Sequence, residues 1–262
     1  MPEYDRVTVS RDDGVATIAF DEPDRRNALD LEVGEDLLRA ATALGEDPEV
    51  RCIVLTHESE FFCTGADLTA LDGDAADAPT IRRLAGRLHE AVVQFHQAET
   101  PVVGGVDGVA AGAGFGLALA PDLLVLGQDA RLEYAYPRIG LTGDGGSTFA
   151  LPRLVGLRAA KEVVLLDEPI GPERAVELGL ATEVAPPGEF EARLEELAGR
   201  VASGPTRALG AATRLMAESF DRSLEAQLAA ETDAIAEAVR TEDYRRGVEA
   251  FFGDGDAEFV GR

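Results

Sequence analysis

Hydrophobic positions along this chain follow two periods, and the switch between them divides it. Around Asp12-Asp13-Gly14, apolar residues alternate or run together over 7–10 and 15–20, which predicts a β-hairpin. Asp21-Glu22-Pro23-Asp24 interrupts that pattern. Asp30 then stands where a helix cap belongs, ahead of Val33, Leu37, Ala40, Ala41 and Leu44 at helical spacing. Cys52-Ile53-Val54-Leu55 reads as a short buried strand, and Phe61-Phe62-Cys63 as another running into Thr64-Gly65-Ala66-Asp67-Leu68. Residues 80–98 carry Ile81, Leu84, Leu88, Val92 and Phe95 along one helical face. Strands are predicted over 101–106, 123–126 and 181–184, and helices over 157–167 and 172–178. From Phe190 onward the period is helical throughout, predicting helices near 190–202, 205–219, 222–239 and 241–252. Strands alternating with helices, followed by helices alone, predict an α/β core over residues 1–195 and a helical C-terminal region over 196–262.

One apolar stretch, residues 101–120, departs from both periods because glycine punctuates it. It starts as a strand, passes through Asp107-Gly108 and becomes a small-residue helix from about Gly112. Gly112, Gly114 and Gly116 alternate with Ala113 and Phe115, so few side chains crowd the helix start. The first amides of a helix lack intrahelical partners and carry the positive end of its dipole. An anion or a polarised carbonyl oxygen could reach them here, forming half of an oxyanion hole; the same glycines also permit close packing of a helix on a sheet. Gly65-Ala66-Asp67 is built alike after another strand. Two such turns could bring two N–H groups to one oxygen, as a thioester enolate requires.

Composition supplies a core and a strong charge. Hydrophobic residues make up 45% of the 262, which is ordinary for a globular chain. Acidic residues number 49 against 24 basic ones, for a net charge of -25, and Lys161 is the only lysine. The acids are spread along the chain rather than gathered in a tail, which suits a protein adapted to high salt. Nucleic acid is excluded as a partner, since binding it needs a basic footprint. Cys52 and Cys63 are too few for a disulfide scaffold and fit no metal spacing. No stretch reads as a membrane span and Met1-Pro2-Glu3-Tyr4-Asp5 shows no secretory signal, so a cytoplasmic location is expected.

Several pieces occur together in a familiar order. They are Arg26-Asn27-Ala28-Leu29, Phe62-Cys63-Thr64-Gly65-Ala66-Asp67-Leu68, the run 108–122 ending in Pro121-Asp122, Ile139-Gly140-Leu141, and Leu151-Pro152-Arg153-Leu154-Val155-Gly156. With them the chain resembles the crotonase (enoyl-CoA hydratase/isomerase) superfamily over most of residues 5–260. The resemblance implies a spiral of ββα units with a helical C-terminal trimerisation region, and homotrimers or hexamers. It implies acyl-CoA substrates, in which coenzyme A is part of the substrate, with no further cofactor and no metal. It places the oxyanion hole at the amides of Ala66 and Ala113, beside Gly65 and Gly112.

Hydratases of that superfamily usually carry two glutamates; Gly116 and Tyr136 stand at the matching positions, which argues against a two-glutamate hydratase. Asp144, in the loop 142–147, resembles the place where some of its isomerases carry a catalytic aspartate, among them dienoyl-CoA isomerases and the epoxide isomerases of phenylacetyl-CoA breakdown. One carboxylate can take a proton from one carbon and return it to another. Taken alone, Asp144 reads as a cap of the next helix, since Gly145, Gly146 and Ser147 follow it. Arg25 and Arg26 are candidates for the CoA phosphates or plain surface charges. Asp67 reads as a helix-start carboxylate beside the substrate. Tyr136 shapes the acyl pocket, donates a hydrogen bond or packs in the core. His57, His89 and His96 match no catalytic position, and Gly253-Asp254-Gly255-Asp256 replaces a run in which relatives commonly hold lysine. The expectation is an enoyl-CoA isomerase with Asp144 as proton shuttle. A hydratase with altered acid–base residues and a non-catalytic acyl-CoA-binding homologue are the alternatives.

Overall fold

The predicted hairpin closes with Val7 opposite Phe20 and Asp12 opposite Val15, as strands β1 (Val7–Asp12) and β2 (Val15–Phe20). The structure is a computed structural model that describes residues 3–253 and 255–262. Asp254 of the acidic C-terminal run and Met1-Pro2 of the N-terminal stretch lie outside the described residues. Asp30 caps helix α1 (Leu31–Gly45) as expected, its carboxylate accepting the Val33 N–H at 2.9 Å. The chain then returns parallel to β2 as β3 (Cys52–His57). Strand β4 (Phe61–Cys63) and helix α2 (Ala78–Gln97) follow, then β5 (Val102–Val106), β6 (Val109–Ala111) and the short helix α3 (Ala113–Ala118). Next come β7 (Leu123–Leu126), β8 (Arg131–Glu133), α4 (Ser147–Leu166), α5 (Pro172–Leu178) and β9 (Glu183–Val184). Helices α6 (Phe190–Ala202), α7 (Thr206–Glu218), α8 (Leu224–Ala238) and α9 (Glu242–Phe252) complete the chain.

The strands form two sheets. The larger has the order β1-β2-β3-β5-β7-β9 and is parallel beyond the first pair; the smaller is β4-β6-β8, also parallel. From β3 to β8, each turn of the chain lays one strand in the large sheet and one in the small sheet before a helix carries it back. That is the repeated ββα unit of a spiral. Parallel sheets are covered on both faces, and β3 shows how. Ile53 and Leu55 join the main core with Leu37 of α1 and Phe95 of α2, while Cys52 and Val54 join a second cluster with Phe190 and Leu194 of α6.

Three expectations need correction. Strand β6 was hidden inside the glycine-rich stretch, where its three residues follow Gly108 too closely to show a period. Helix α4 begins at Ser147 rather than 157, and breaks at Gly156, whose φ of +76° interrupts the helical backbone. The boundary drawn after residue 195 falls inside α6, which packs on the large sheet and belongs to the core.

The C-terminal tail is bound back onto the core. Buried Asp243 accepts the N–H groups of Val260 and Gly261 at 2.6 and 2.9 Å, and Arg51 donates to the carbonyls of Gly204 and Phe259. By contrast, Leu224, Leu228 and Ile235 on α8 and Phe251-Phe252 on α9 stand exposed. Among the described residues no helix is long and apolar enough to cross a membrane.

Candidate active site

The site begins with Leu29, whose backbone straddles Ala66. Its N–H donates to the Gly65 carbonyl and its carbonyl accepts the Asp67 N–H, both at 2.8 Å. This bridge leaves the Ala66 N–H on the opposite side of the turn. Asn27 anchors Leu29 from below: it is buried, with its amide donating to the Phe61 carbonyl at 2.5 Å and accepting the Glu22 N–H at 2.7 Å. Gly65 adopts φ +92°, and a Cβ there would lie 3.0 Å from the Ala111 carbonyl and 3.4 Å from the Ala113 nitrogen. The two glycine-flanked turns therefore touch, backbone to backbone. The Gly112 N–H is taken by the Glu133 carbonyl across β8, which orients the start of α3. Among the described residues, neither the Ala66 nor the Ala113 N–H has a hydrogen-bond partner within the chain, and both residues line one pocket.

The opposite wall comes from residues 134–146. After β8 the chain turns sharply at Ala135, held at φ +62° by the Asp167 carboxylate, which accepts its N–H at 2.7 Å. Burial works against the charge of Glu133, but the guanidiniums of Arg131 and Arg138 outweigh it and hold its carboxyl below the usual range. Glu133, itself buried, is thus committed to ion pairs with the exposed Arg131 and Arg138 and is not among the residues lining the pocket. Tyr136 follows the turn and points inward, and its hydroxyl donates to Oδ1 of Asp144. Burial, reinforced by the Asp144 carboxylate, pushes the phenol well above an ordinary tyrosine, so it remains a donor across the working pH range. Among the described residues, Asp144 is the one acid lining this cavity of about 420 Å³. Replacing Tyr136 with Phe should lower kcat by about tenfold or more, as loss of one hydrogen bond to a charged group implies. Steady-state kinetics at unchanged melting temperature check this; an unaffected kcat would mean that the phenol does not orient the carboxylate.

The loop carrying Asp144 is held from two further sides. His89 of α2 accepts the Gly145 N–H through Nε2 at 3.2 Å. On the other side, a Cβ on Gly116 would come within 2.6 Å of the Gly145 carbonyl oxygen and 3.0 Å of that of Asp144. The missing side chain of Gly116 is therefore the seat of the Asp144 loop. His89 was passed over in the sequence, where nothing links it to a residue 56 positions away. Asp144 does not cap α4 with its side chain; Gly146 occupies the cap position without any side-chain bond.

The predicted site residues thus divide in two. Gly65, Ala66, Gly112, Ala113, Tyr136 and Asp144 come together round the cavity. Gly116 lies behind it as packing space. Asp67 caps the single helical turn after it through the Thr69 N–H and pairs with Arg25 at 2.6 Å. Arg25 also pairs with Asp30 at 2.7 Å, so it serves the fold beneath the site rather than lining the pocket. Arg26 is exposed, its guanidinium 5.7 Å from the centre of the Phe61 ring. Cys63, beneath the hole, is fully buried, which pushes its thiol up to about 12 and leaves it inert. Among the described residues no group of His, Cys, Asp and Glu side chains is arranged to hold a metal.

The motif set and this geometry match a described family over nearly the whole chain: residues 10–262 fit the family model for enoyl-CoA hydratase/isomerase. The chain belongs to the enoyl-CoA hydratase/isomerase family. Within that family it is 36% identical over 261 residues to a probable enoyl-CoA hydratase of Rhodobacter capsulatus, covering 99% of each chain. It is 32% identical to the 1,2-epoxyphenylacetyl-CoA isomerase of Escherichia coli, covering 95% of this chain and 96% of that one. The structure superposes on an enoyl-CoA hydratase from Polaromonas with a TM-score of 0.90 at 30% identity, over 97% of this chain and 99% of the other. The spiral of ββα units is thus the crotonase fold, and the chain is an enzyme of the enoyl-CoA hydratase/isomerase family. Family membership leaves hydratases and isomerases side by side, so the reaction has to be argued from the site.

Proposed function

We propose that the protein is an isomerase that shifts the double bond of an enoyl-CoA thioester. One observation carries this reading: a single carboxylate, Asp144, faces a pocket that also holds two unpartnered backbone N–H groups. In this reading the thioester carbonyl oxygen accepts hydrogen bonds from Ala66 and Ala113. The Asp144 carboxylate removes a proton from C2 of a 3-enoyl-CoA, and the electron pair moves into a dienolate whose oxygen charge rests on the two N–H groups. The same carboxyl then returns the proton to C4, leaving the double bond between C2 and C3. Tyr136 holds one carboxylate oxygen, which leaves the other free to carry the proton.

Hydration needs a second group to hold and deprotonate water. The positions that would supply glutamates hold Gly116, whose space the loop fills, and Tyr136, whose hydroxyl is engaged. Coenzyme A enters as part of the substrate, and the reaction as written needs no other cofactor. The exposed apolar residues of α8 and α9 support assembly of copies of this chain through that region, as homotrimers or hexamers. The test supplies a 3-enoyl-CoA and a 2-enoyl-CoA separately at high KCl and follows each by chromatography. Conversion of the first without hydration of the second is expected; hydration of the second at a comparable rate would overturn the reading.

A further inference from the structure

The pocket does not end at Asp144. Leu68, Ile81, Ile139 and Leu141 line the catalytic cavity and also line a second cavity of about 740 Å³ that continues outward between the 71–78 segment, the first turn of α2 and the 139–141 loop. Leu68, Ile139 and Leu141 are 43%, 55% and 43% exposed, an apolar lining that no side chain of the described residues covers. We infer that this groove receives the distal part of the acyl chain, and that the protein selects extended, uncharged aliphatic acyl groups over short ones. The inference rests on the reading above that the thioester carbonyl sits between Ala66 and Ala113.

Two arguments fix the occupant. The first is direction. With the carbonyl oxygen at the two N–H groups, C2 and C4 have to reach Asp144, so the acyl chain runs from the hole toward the wall that bears Asp144, Leu141 and Ile139. The groove starts from that wall. The second is charge. Its rim carries Asp74 and Asp77 against one cation, Arg82. Both aspartates are held in place by loop N–H groups: Asp77 accepts from Asp72, Gly73 and Asp74, and Asp74 accepts from Ala76. A rim with more fixed acid than base repels the phosphates of coenzyme A and tolerates an uncharged chain. The CoA half therefore leaves by another side, and the groove takes hydrocarbon.

Full burial of one methylene is worth about fourfold in affinity, and a groove open on one side returns about half that free energy, or about twofold per methylene. Saturated butyryl-, hexanoyl-, octanoyl- and decanoyl-CoA are suitable probes, because binding them requires no turnover. Isothermal titration of the whole protein at high KCl should show affinity rising along the series, by at least about tenfold from butyryl- to decanoyl-CoA. Ala78, exposed at the first turn of α2, lines the groove but not the catalytic cavity. In Ala78→Trp the indole should occupy the groove and lower the decanoyl-to-butyryl affinity ratio by about tenfold, with the core untouched. A flat series in the wild type overturns the inference, and so does a steep series that Ala78→Trp does not flatten. A steep series lost in the variant, from a protein that converts no 3-enoyl-CoA, would uphold the groove and refute the isomerase.

Discussion

Asp144→Ala should abolish isomerisation of a 3-enoyl-CoA, lowering kcat by about a thousandfold while KM changes by no more than about threefold, as expected for loss of a positioned proton carrier. In the proposed reaction Asp144 contributes chemistry rather than packing. It is half-buried, its side chain caps no helix, and among the described residues its one side-chain partner is the Tyr136 hydroxyl. Removing it leaves that hydroxyl facing the pocket, where water can satisfy it, so the fold should survive. Asp144→Asn keeps an acceptor for Tyr136 but cannot carry the proton, and should be as inactive as the alanine variant. Initial rates for both variants, with a thermal melt to show that each folds, decide the matter. Activity above about a tenth of wild type in Asp144→Asn would show that another group moves the proton, since general acid–base groups typically contribute at least a hundredfold.

Gly116→Glu should fail to create a hydratase and should destroy the isomerase. The substitution restores a carboxylate at a position where hydratases of the family carry one, so a reading by motif alone would expect hydration to appear. The structure argues otherwise. Already at the Cβ stage the new side chain meets backbone, 2.6 Å from the Gly145 oxygen, and a backbone atom cannot swing aside as a side chain can. The loop has to retreat, taking Asp144 with it. A displacement near 1 Å is enough to cost about a hundredfold in rate. Gly116→Ala isolates the steric part and should by itself lower kcat about a hundredfold with 3-enoyl-CoA. Hydration of 2-enoyl-CoA by Gly116→Glu would sink this account, because it would show that the loop and a glutamate can share the space.

Much of the fold was legible because it rests on local periodicity. The cap of α1, the apolar faces of α1 and α2 and the helices after residue 190 appear in the sequence within a few residues of their observed limits. Missed features share a cause in geometry that periodicity does not report. Strand β6 is too short to show a period, and it exists because β4 and β8 flank it. The first half of α4 follows two glycines and contains Pro152, which together read as loop, yet Gly146 at φ +77° starts the helix. In the site, the two turns were visible as glycine-flanked pairs, since glycine marks close backbone approach. The fate of Arg25 was not visible, because Asp67 lies 42 residues away and only the fold brings them together. In the glycine-rich stretch the close-packing reading is realised, and one glycine lies at the pocket. Gly105 seats Leu194 and Phe190 of α6, and Gly114 faces the Cys63 carbonyl at a distance no side chain would permit, while Gly112 opens onto the pocket.

The hole at Ala66 and Ala113 is built from peptide N–H groups alone, and its two residues are already alanine. An alanine scan of the pocket would therefore pass over both of the proposed oxyanion donors without registering them. Every exchange at either position except one to proline tests bulk and shape and leaves the donor in place. The informative change is in the backbone itself: an ester in place of the amide at residue 66 or 113, introduced by semisynthesis, deletes one N–H with the side chain unchanged, at the cost of a weaker acceptor at the Gly65 or Gly112 carbonyl before it. The same property means that, among single-codon changes at either position, only one to proline removes a donor, and it constrains the backbone of the turn at the same time.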